Sequence, residues 1–354
     1  MSDLEFLFSQ NSNIKKLSIH DRKYQLNSNR TFIHGAKKSG KTYFAFSKLC
    51  DYDKNSFLYI DLEIYNVDFL ELTEFIQKNK IILLIIDNYK QEFKLPSIKN
   101  IILISNTKVE LQGFEYINIK PLDFEEFISF SQKNQTITHL FNNFIKDGTL
   151  PEITTINEFK KYERWRELIT LISNNPLKSD ILKLLINSIG YKYSSFQLFN
   201  ILKKSIKISK DFLYKYIKDY EDEEILFFVE KYNHPKSPKK IYIYDFAIQQ
   251  SITNKKNFVK IFENMIFLEL KKRYNEIYYL EFCDFYIQSN NIIYFVMPFV
   301  TKNQIETKID KTFDDIKEFN IKYIKIITAG YEENFTYKQL SIEAEPFYFW
   351  ALED

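Results

Sequence analysis

Short apolar runs, separated by amphipathic or polar stretches, dominate the first third of the chain. The runs occupy residues 30–34, 56–60, 81–86, 101–104 and 116–119. Within each run the apolar residues mostly follow one another directly. In the intervals between the runs, apolar residues recur at the spacing of a helix. Continuous runs of this kind are typical of parallel strands that helices bury on both faces. The pattern therefore predicts an α/β domain at about residues 1–125.

After this domain the apolar spacing becomes helical, with a break near Gly148. We expect helices at 179–188, 195–204 and 209–220, and then strands at 224–231 and 239–244. Three helices followed by a β-hairpin form the layout of a winged helix-turn-helix. The rest of the chain is predicted to be α/β or α+β, with helices at 257–274 and 308–319 and strands at 277–280, 285–287, 292–299 and 323–328.

Composition narrows the class of protein. Hydrophobic residues make up 45% of the 354 and charged residues 27%, which excludes a disordered chain. The longest aliphatic run, 81–86, is far shorter than the roughly 18 residues that span a bilayer. No secretory leader opens the chain, so we expect a cytoplasmic protein without a membrane partner. Two cysteines and four scattered histidines exclude a disulfide scaffold and a cysteine-rich metal site.

The first apolar run leads into a glycine-containing motif. Residues 35–42 match G-x-x-x-x-G-K-[ST] between a strand pattern and a helix pattern. Glycines let the backbone turn its N–H groups toward a phosphate, and the next helix points its N-terminus at the same anion. Lys41 is expected to contact the β- and γ-phosphates of ATP, and Thr42 to offer its hydroxyl to Mg²⁺. The predicted nucleotide-binding residues are Gly35, Ala36, Lys37, Lys38, Ser39, Gly40, Lys41 and Thr42.

A carboxylate for the metal ion is expected at the end of a neighbouring strand. Asp87 follows the aliphatic run 81–86, so it should emerge at the sheet edge and hold Mg²⁺ directly or through water. Many such ATPases carry a glutamate next, as general base, where this chain has Asn88. An amide can orient water but cannot take its proton, and losing a positioned base typically costs about 10²–10⁴ in rate. The sequence therefore supports ATP binding more strongly than fast hydrolysis.

Polar residues at two other strand ends are candidates for the same site. Asp61 and Glu63 follow the strand at 56–60 and could act as acids or metal-side groups, with solvated loop carboxylates as the alternative. Ser105 and Asn106 end the fourth strand. A polar side chain there could sense the γ-phosphate or hold the attacking water, and an ordinary strand-ending turn is the alternative.

These motifs occur in an order that resembles a known family. The chain also contains Pro-Leu-Asp-Phe-Glu-Glu-Phe at 121–127, Gly-Thr-Leu-Pro-Glu at 148–152 and Phe-Glu-Asn at 262–264. With the phosphate loop, they make it similar to the predicted AAA+ superfamily ATPases of archaea and bacteria. The resemblance covers nearly the whole chain. It implies a P-loop parallel-sheet core at 1–125, a helical lid at 126–178, a winged helix at 179–245 and a degenerate restriction-endonuclease-like α/β domain at 246–354.

The resemblance carries the family's ATPase residues onto this sequence. In some relatives an arginine from a neighbouring subunit touches the γ-phosphate, which implies a homo-oligomer or a protein partner. The chain has five arginines, and Arg164 and Arg166 are the candidates, with solvated helix charges as the alternative. The phosphate and metal residues carry over to Lys41, Thr42 and Asp87. The family's usual acidic residue after the strand Asp falls on Asn88, and the sensor falls on Ser105 or Asn106.

The resemblance also implies that the C-terminal region could carry the metal-binding residues of a nuclease. In restriction-endonuclease-like domains a helix Glu, a strand Asp and a Glu-x-Lys on the next strand hold Mg²⁺. Glu263 and Asp284 match the first two positions, but residues 293–297 carry neither a carboxylate nor a lysine. Glu263 could equally be a helix residue in an ion pair. The region is therefore expected to serve structure or binding, and a DNA nuclease is the weakest of the functional alternatives.

DNA is a candidate partner through the winged helix. Residues 181–245 hold twelve lysines against eight acidic residues, although the whole chain has a net charge of only +2. The acidic residues 221–224 would repel DNA, and winged helices also bind proteins. The leading prediction is an ATPase whose nucleotide state rearranges this region; the alternative is a nucleotide-gated DNA- or protein-binding switch with negligible turnover. The lysines that could neutralise phosphates are Lys203, Lys204, Lys207, Lys210, Lys215 and Lys218.

Overall fold

The computed structural model describes residues 2–131, 134–252 and 257–353. The chain divides into two compact units. The first comprises residues up to 121 together with 150–152, and the second comprises 122–149 and the residues from 153 onward. The predicted domain boundaries after 125, 178 and 245 remain predictions, because this division concerns compactness alone.

The first unit contains a parallel sheet whose strands match the apolar runs. Its elements are α1 (Asp3–Ser9), α2 (Asn11–Ile14), β1 (Arg30–His34), α3 (Lys41–Ser47), β2 (Phe57–Asp61), α4 (Phe69–Lys78), β3 (Leu83–Asp87), β4 (Asn100–Ile104) and β5 (Glu115–Asn118). Within the described residues the strand order is β2-β3-β4-β1-β5, and every neighbouring pair is parallel. The predicted strands and their parallel arrangement are thus confirmed, and the fold is mixed α/β.

Successive side chains of each strand point to opposite faces of this sheet. On one face, Phe57 and Ile85 pack with Phe44 of α3. The opposite face packs against α1 and α4, so helices cover both faces as predicted. Counting on by twos, Asp61 and Asp87 lie on the α3 face at the carboxyl ends of β2 and β3. Burial of the apolar positions therefore directs both carboxylates toward the start of α3.

After residue 121 the chain forms a longer series of helices and strands. None of the helices within the described ranges is both long enough and apolar enough to cross a bilayer. The elements are α5 (Phe124–Phe130), α6 (Ile137–Asp147), α7 (Pro151–Thr155), α8 (Glu158–Ser173), α9 (Pro176–Asn187), β6 (Lys192–Tyr193), α10 (Ser195–Leu202), α11 (Lys210–Asp222), β7 (Leu226–Lys231), β8 (Lys239–Ile243), α12 (Phe258–Arg273), β9 (Tyr278–Tyr279), β10 (Phe285–Ile287), β11 (Ile292–Val296), α13 (Lys302–Glu318), β12 (Tyr323–Thr328), β13 (Glu333–Tyr337), β14 (Leu340–Pro346) and α14 (Phe347–Trp350).

The strands of the second unit form one sheet. Its order is β13-β14-β12-β11-β10-β9-β7-β8-β6 over the part of the chain that the structure describes. Strand β7 belongs to the predicted wing hairpin, yet it pairs on its other edge with β9, Glu230 opposite Tyr278 and Lys231 opposite Tyr279. The hairpin and the C-terminal strands, which the sequence suggested as parts of separate domains, therefore share a sheet.

Several elements near the C-terminus differ from the predictions: strand β11 ends at Val296 rather than 299, and strand β14 was not predicted. Helix α13 begins at Lys302 rather than 308, and the backbone N–H of Thr301 donates to the Gln304 side chain at 2.9 Å, which caps its start. Strand β13 was not predicted. It has no fully buried residue and lies at the sheet edge, antiparallel to β14. Its polar sequence therefore lacks the apolar run that marks the predicted strands.

Candidate functional site

The motif at 35–42 forms a tight loop between β1 and α3. Gly35 and Gly40 have φ angles of 135° and 94°, which most residues with a side chain avoid. A Cβ at Gly35 would lie 2.2 Å from the carbonyl oxygen of Ile119, so this position requires glycine. Gly40 is the N-cap of α3 and supplies no side-chain acceptor to the first N–H groups of the helix. The loop thus presents an uncapped helix start beside a tightly packed turn.

The Lys41 side chain turns back from the start of α3 into this loop. It is 7% exposed, and its Nζ donates to the carbonyl oxygens of Gly35 at 2.9 Å and Ala36 at 2.8 Å. It also donates to Oδ1 of Asn106 at 3.1 Å. Of the two predicted sensor residues, Asn106 therefore reaches the loop through its side chain, whereas Ser105 hydrogen-bonds to β1 through its backbone N–H.

Thr42 and Asp87 are in direct contact beside the loop. The Thr42 hydroxyl donates to Oδ2 of Asp87 at 2.6 Å, and the backbone N–H of Asn88 donates to Oδ1 at 2.8 Å. Burial raises the pKa of Asp87 because it disfavours the carboxylate, and these two hydrogen bonds oppose the shift. Hydroxyl and carboxylate oxygens are ligands that Mg²⁺ prefers, and a buried carboxylate gains from a nearby cation. The two residues therefore fit a Mg²⁺ ion.

A second carboxylate lies beside Asp87 at the same sheet edge. Strands β2 and β3 pair with Asp61 opposite Asp87. Nδ2 of Asn88 donates to Oδ1 of Asp61 at 2.7 Å, and the Tyr59 hydroxyl donates to Oδ2 of Asp87 at 3.3 Å. Glu63, the other predicted acid on this loop, is exposed. Tyr59 was not predicted, although its position two residues before Asp61 already places both on one face of β2.

Arg22 is another residue that was not predicted. Its guanidinium donates to the carbonyl oxygens of Ser39 at 2.8 Å and Lys120 at 2.7 Å. Both acceptors are backbone atoms, so the arginine fixes the path of the phosphate loop against the segment that follows β5. No local pattern marks this residue; the scarcity of arginine in the chain is the only signal that could have drawn attention to it.

The two arginines predicted to serve a neighbouring subunit lie on α8. Arg164 pairs with Glu167 at 2.6 Å. The Arg166 guanidinium lies 4.6 Å from the ring centroid of Tyr162 and donates to the carbonyl oxygen of Ser251 at 3.4 Å. Both therefore make contacts within the second unit, and a role of Arg166 toward another subunit stays a prediction.

The nuclease-like carboxylates in the second unit surround a lysine. The side chain of Lys240 is 5% exposed, and its Nζ lies 2.7 Å from Oε1 of Glu263 and 3.6 Å from Oδ1 of Asp284. Lys260 and Tyr242 also reach Glu263, each at 2.7 Å. Burial alone would raise the pKa of Glu263, but the two lysines outweigh it and the pKa is lowered. An ammonium already lies between the carboxylates, so these residues do not fit a divalent metal ion.

The predicted DNA-binding lysines are all exposed, three of them (Lys203, Lys204 and Lys207) between α10 and α11 and the other three on α11. We call residues 203–210 the basic segment, since it contains four lysines and no acidic residue. Among the residues that the structure describes, these lysines form no ion pair with a carboxylate. Lys210 instead lies 5.0 Å from the ring centroid of Phe196, which is 54% exposed. Positive charge and an exposed aromatic ring therefore occur together here.

Comparison with known proteins gives weak similarities. No protein-family model matches the chain. It is 28% identical to an uncharacterized protein of Methanocaldococcus jannaschii, over 90% of this chain and 87% of that one. Among solved structures, it is similar to a Walker-type ATPase of Pyrococcus abyssi, with 14% identity and a TM-score of 0.41 over 71% of this chain and 96% of that one. It is also similar to the Orc1 protein of Aeropyrum pernix in complex with DNA, with 11% identity and a TM-score of 0.31 over 71% and 91%. Similarity at these values assigns neither a family nor an activity to the chain.

Proposed function

We propose that the chain is a P-loop ATPase of the AAA+ kind that binds ATP with Mg²⁺ at residues 35–42 and hydrolyses it. One observation carries the proposal. The Lys41 ammonium lies inside a loop that requires glycine, and the next residue, Thr42, contacts Asp87. A positive charge for the phosphates and two oxygen ligands for the metal ion are therefore adjacent.

Different residues of the site would contact different parts of the triphosphate and the metal ion. Lys41 would exchange its contacts with the Gly35 and Ala36 carbonyls for oxygens of the β- and γ-phosphates. The Asn106 side chain, which reaches Lys41, would contact the γ-phosphate. Thr42 and Asp87 would hold the metal ion, which when bound polarises the phosphate oxygens. Hydrolysis then consists of in-line attack by water on the γ-phosphorus and departure of ADP.

Isothermal titration of the full chain with ATP and Mg²⁺ tests the site. Lys41→Ala should abolish measurable affinity, because it removes the charge that balances the phosphates. Lys48→Ala is the matched control. Lys48 follows the same helix but pairs with Asp51 at 3.1 Å on the surface, so its loss should leave binding unchanged. Equal affinity of Lys41→Ala and the native chain would refute the site.

The alternative within the same site is a nucleotide-gated switch with negligible turnover, which Asn88 motivates. Steady-state phosphate release separates the two functions. Robust multiple turnover at micromolar protein would exclude the switch, whereas binding without phosphate release would favour it. Rearrangement of the helical and winged-helix regions by the bound nucleotide belongs to both versions of the proposal.

A second candidate function, DNA binding, is favoured by the basic segment. Exposed lysines that lack carboxylate partners can neutralise phosphates, and their binding should weaken as salt rises. Fluorescence anisotropy with a labelled duplex tests this, using the combined variant Lys203→Ala, Lys204→Ala and Lys207→Ala. Lys192→Ala is the control, since Lys192 already pairs with Glu281 at 2.6 Å. Absence of salt-dependent binding at low ionic strength would contradict the proposal.

A further inference from the structure

The residue after the metal-side carboxylate is Asn88, whose amide cannot accept a proton. Its backbone has a φ of 54°, and its N–H donates to the Asp87 carboxylate. This conformation turns its side chain toward β2, where Nδ2 donates to Oδ1 of Asp61 at 2.7 Å. An amide thus occupies the place expected for a carboxylate, and a carboxylate lies next to it on the neighbouring strand.

The hydrogen bonds of Asp61 leave one of its oxygens available. Oδ1 accepts from the Asn88 side chain and from the backbone N–H of Glu63 at 2.9 Å. Within residues 2–131, 134–252 and 257–353, no donor reaches Oδ2. The side chain is half-buried, so water can approach it while its orientation is held by two donors. A fixed carboxylate with a free oxygen is suited to bind and deprotonate a water molecule.

The other acids of this edge are less suited to that task. Both oxygens of Asp87 accept hydrogen bonds, from Thr42, Tyr59 and the Asn88 backbone, and the proposed metal ion would occupy it further. Glu63 is exposed, and its contact with Asp61 is made through its backbone. Asp61 is therefore the carboxylate at this edge that hydrogen bonds hold in place through one oxygen while its other oxygen can accept a water molecule.

We propose that Asp61 is the general base for hydrolysis and that Asn88 positions it, so that the catalytic carboxylate lies on β2 instead of β3. This inference rests on the ATPase function proposed above. The water oxygen forms a bond to the γ-phosphorus, and the bond from that phosphorus to the bridging oxygen breaks. ADP leaves with the electron pair, and the water proton passes to Asp61 and then to solvent.

Exchange of the two side chains tests the inference. The variants are Asp61→Asn, the exchange variant Asp61→Asn with Asn88→Asp, and the control Glu63→Gln. Each is titrated with ATP and Mg²⁺ by calorimetry and assayed for phosphate release. Asp61→Asn should bind ATP normally and lose about 10²–10⁴ in turnover. The exchange variant should recover part of that loss, because it restores a carboxylate to the same pair, and Glu63→Gln should match the native chain.

The readouts separate this inference from the ATPase proposal. Asp61→Asn that binds ATP and turns it over at the native rate would overturn the role of Asp61 and leave the ATPase proposal standing. A native chain that binds ATP and Mg²⁺ but releases no phosphate would also overturn it. A native chain that does not bind ATP would overturn both. Normal ATP affinity together with lost turnover in Asp61→Asn would exclude a merely structural role, since a disturbed site would lose affinity as well. Recovery in the exchange variant would then show that turnover needs a carboxylate in this pair.

Discussion

Two pairs of carboxylates, one in each unit of the chain, have opposite kinds of partner. At the edge of the first sheet, Asp87 accepts hydrogen bonds from the neutral groups of Thr42 and Tyr59, and its neighbour Asp61 accepts from an amide. In the second unit, Glu263 and Asp284 share the ammonium of Lys240. Both regions carry the residue types of a magnesium site in the sequence. Only the first fits a metal ion in the structure, because in the second the ammonium of Lys240 already lies between the carboxylates.

The difference shows two ways to accommodate a buried carboxylate. Burial disfavours the charged form, and it raises the pKa of Asp87. At Glu263 the same burial is outweighed by Lys240 and Lys260, and the pKa is lowered. A permanent ammonium, such as that of Lys240, neutralises the charge of a buried carboxylate within the folded chain. The neutral donors of Thr42 and Tyr59 leave Asp87 without a permanent cation, which suits it to the metal ion proposed for this site.

The largest expected effect follows removal of the permanent cation. Lys240→Met should lower the free energy of unfolding by about 3–5 kcal/mol, because it leaves Glu263 and Asp284 without the ammonium between them. Denaturant unfolding followed by circular dichroism measures the change. Lys240→Met combined with Glu263→Gln should lose less, since the buried charge is removed with its partner.

Lys239→Met is the matched control for this variant. Lys239 is the neighbouring residue of β8 and pairs with Glu230 at 2.6 Å, with both side chains more than a third exposed. Exposed pairs contribute about 0–1 kcal/mol, so its loss should be small. Equal destabilisation by Lys239→Met and Lys240→Met would break the distinction between the two carboxylate pairs.

A smaller effect, on binding rather than stability, is expected at the first pair. Asp87→Asn should weaken the binding of ATP with Mg²⁺ by about 10–100-fold, because it removes one of the two proposed ligands of the metal ion. The free energy of unfolding of the ligand-free chain should stay the same or rise, since burial disfavours the charged form of Asp87 and an amide has no charge to bury. Calorimetry and denaturant unfolding measure the two quantities separately.

Removal of the metal ion sharpens this prediction. EDTA should reduce the ATP affinity of the native chain toward that of Asp87→Asn, and it should change the variant little. If Asp87→Asn lowered the free energy of unfolding as much as Lys240→Met does, Asp87 would be a structural residue. The two carboxylate pairs would then not differ in the way described.

The smallest effect concerns Asp245, a third buried carboxylate. Burial raises its pKa to about 7, although the hydrogen bonds that it accepts from the backbone N–H groups of Ala247 and Thr149 act in the opposite direction. The folded chain therefore binds a proton more tightly than the unfolded chain, and stability should fall as pH rises from about 4 to 7. Asp245→Asn should remove this fall and stabilise the chain at pH 8 by about 1–2 kcal/mol.

Unfolding free energies of both chains at pH 5 and pH 8 check this prediction. The advantage of Asp245→Asn should be small at the lower pH and reach its full size at the higher one. A constant difference at both values would show that Asp245 does not titrate on folding in this window. The rule that burial without an ammonium raises a carboxyl pKa would then not extend beyond Asp87.

The sequence predicted the features that depend on local pattern. The strands of the first sheet were found because each is a short apolar run, and the alternation of side chains then fixes the face of Asp61 and Asp87. The identity of their partners was less accessible. That Asn88 reaches Asp61 depends on pairing between strands 27 residues apart, which becomes clear only when the strand order and register are known.

Contacts between distant segments were the hardest to predict. Lys240 lies in strand β8, and nothing near it in the sequence indicates Glu263, 23 residues later, as its partner. Arg22 reaches the carbonyl of Lys120, 98 residues away, from a segment without regular structure. Each of these long side chains bridges elements whose proximity is a result of the complete fold, so no spacing rule identifies them.

The pairing of β7 with β9 bears on how this protein can be cut into fragments. A fragment ending at residue 245 would retain the hairpin but lose the strand that covers its outer edge. Unpaired N–H and C=O groups along β7 would then be free to recruit a strand from another molecule. Aggregation of such a fragment would result from the loss of β9 from the edge of β7. It would not show whether the hairpin can bind a partner in the intact chain.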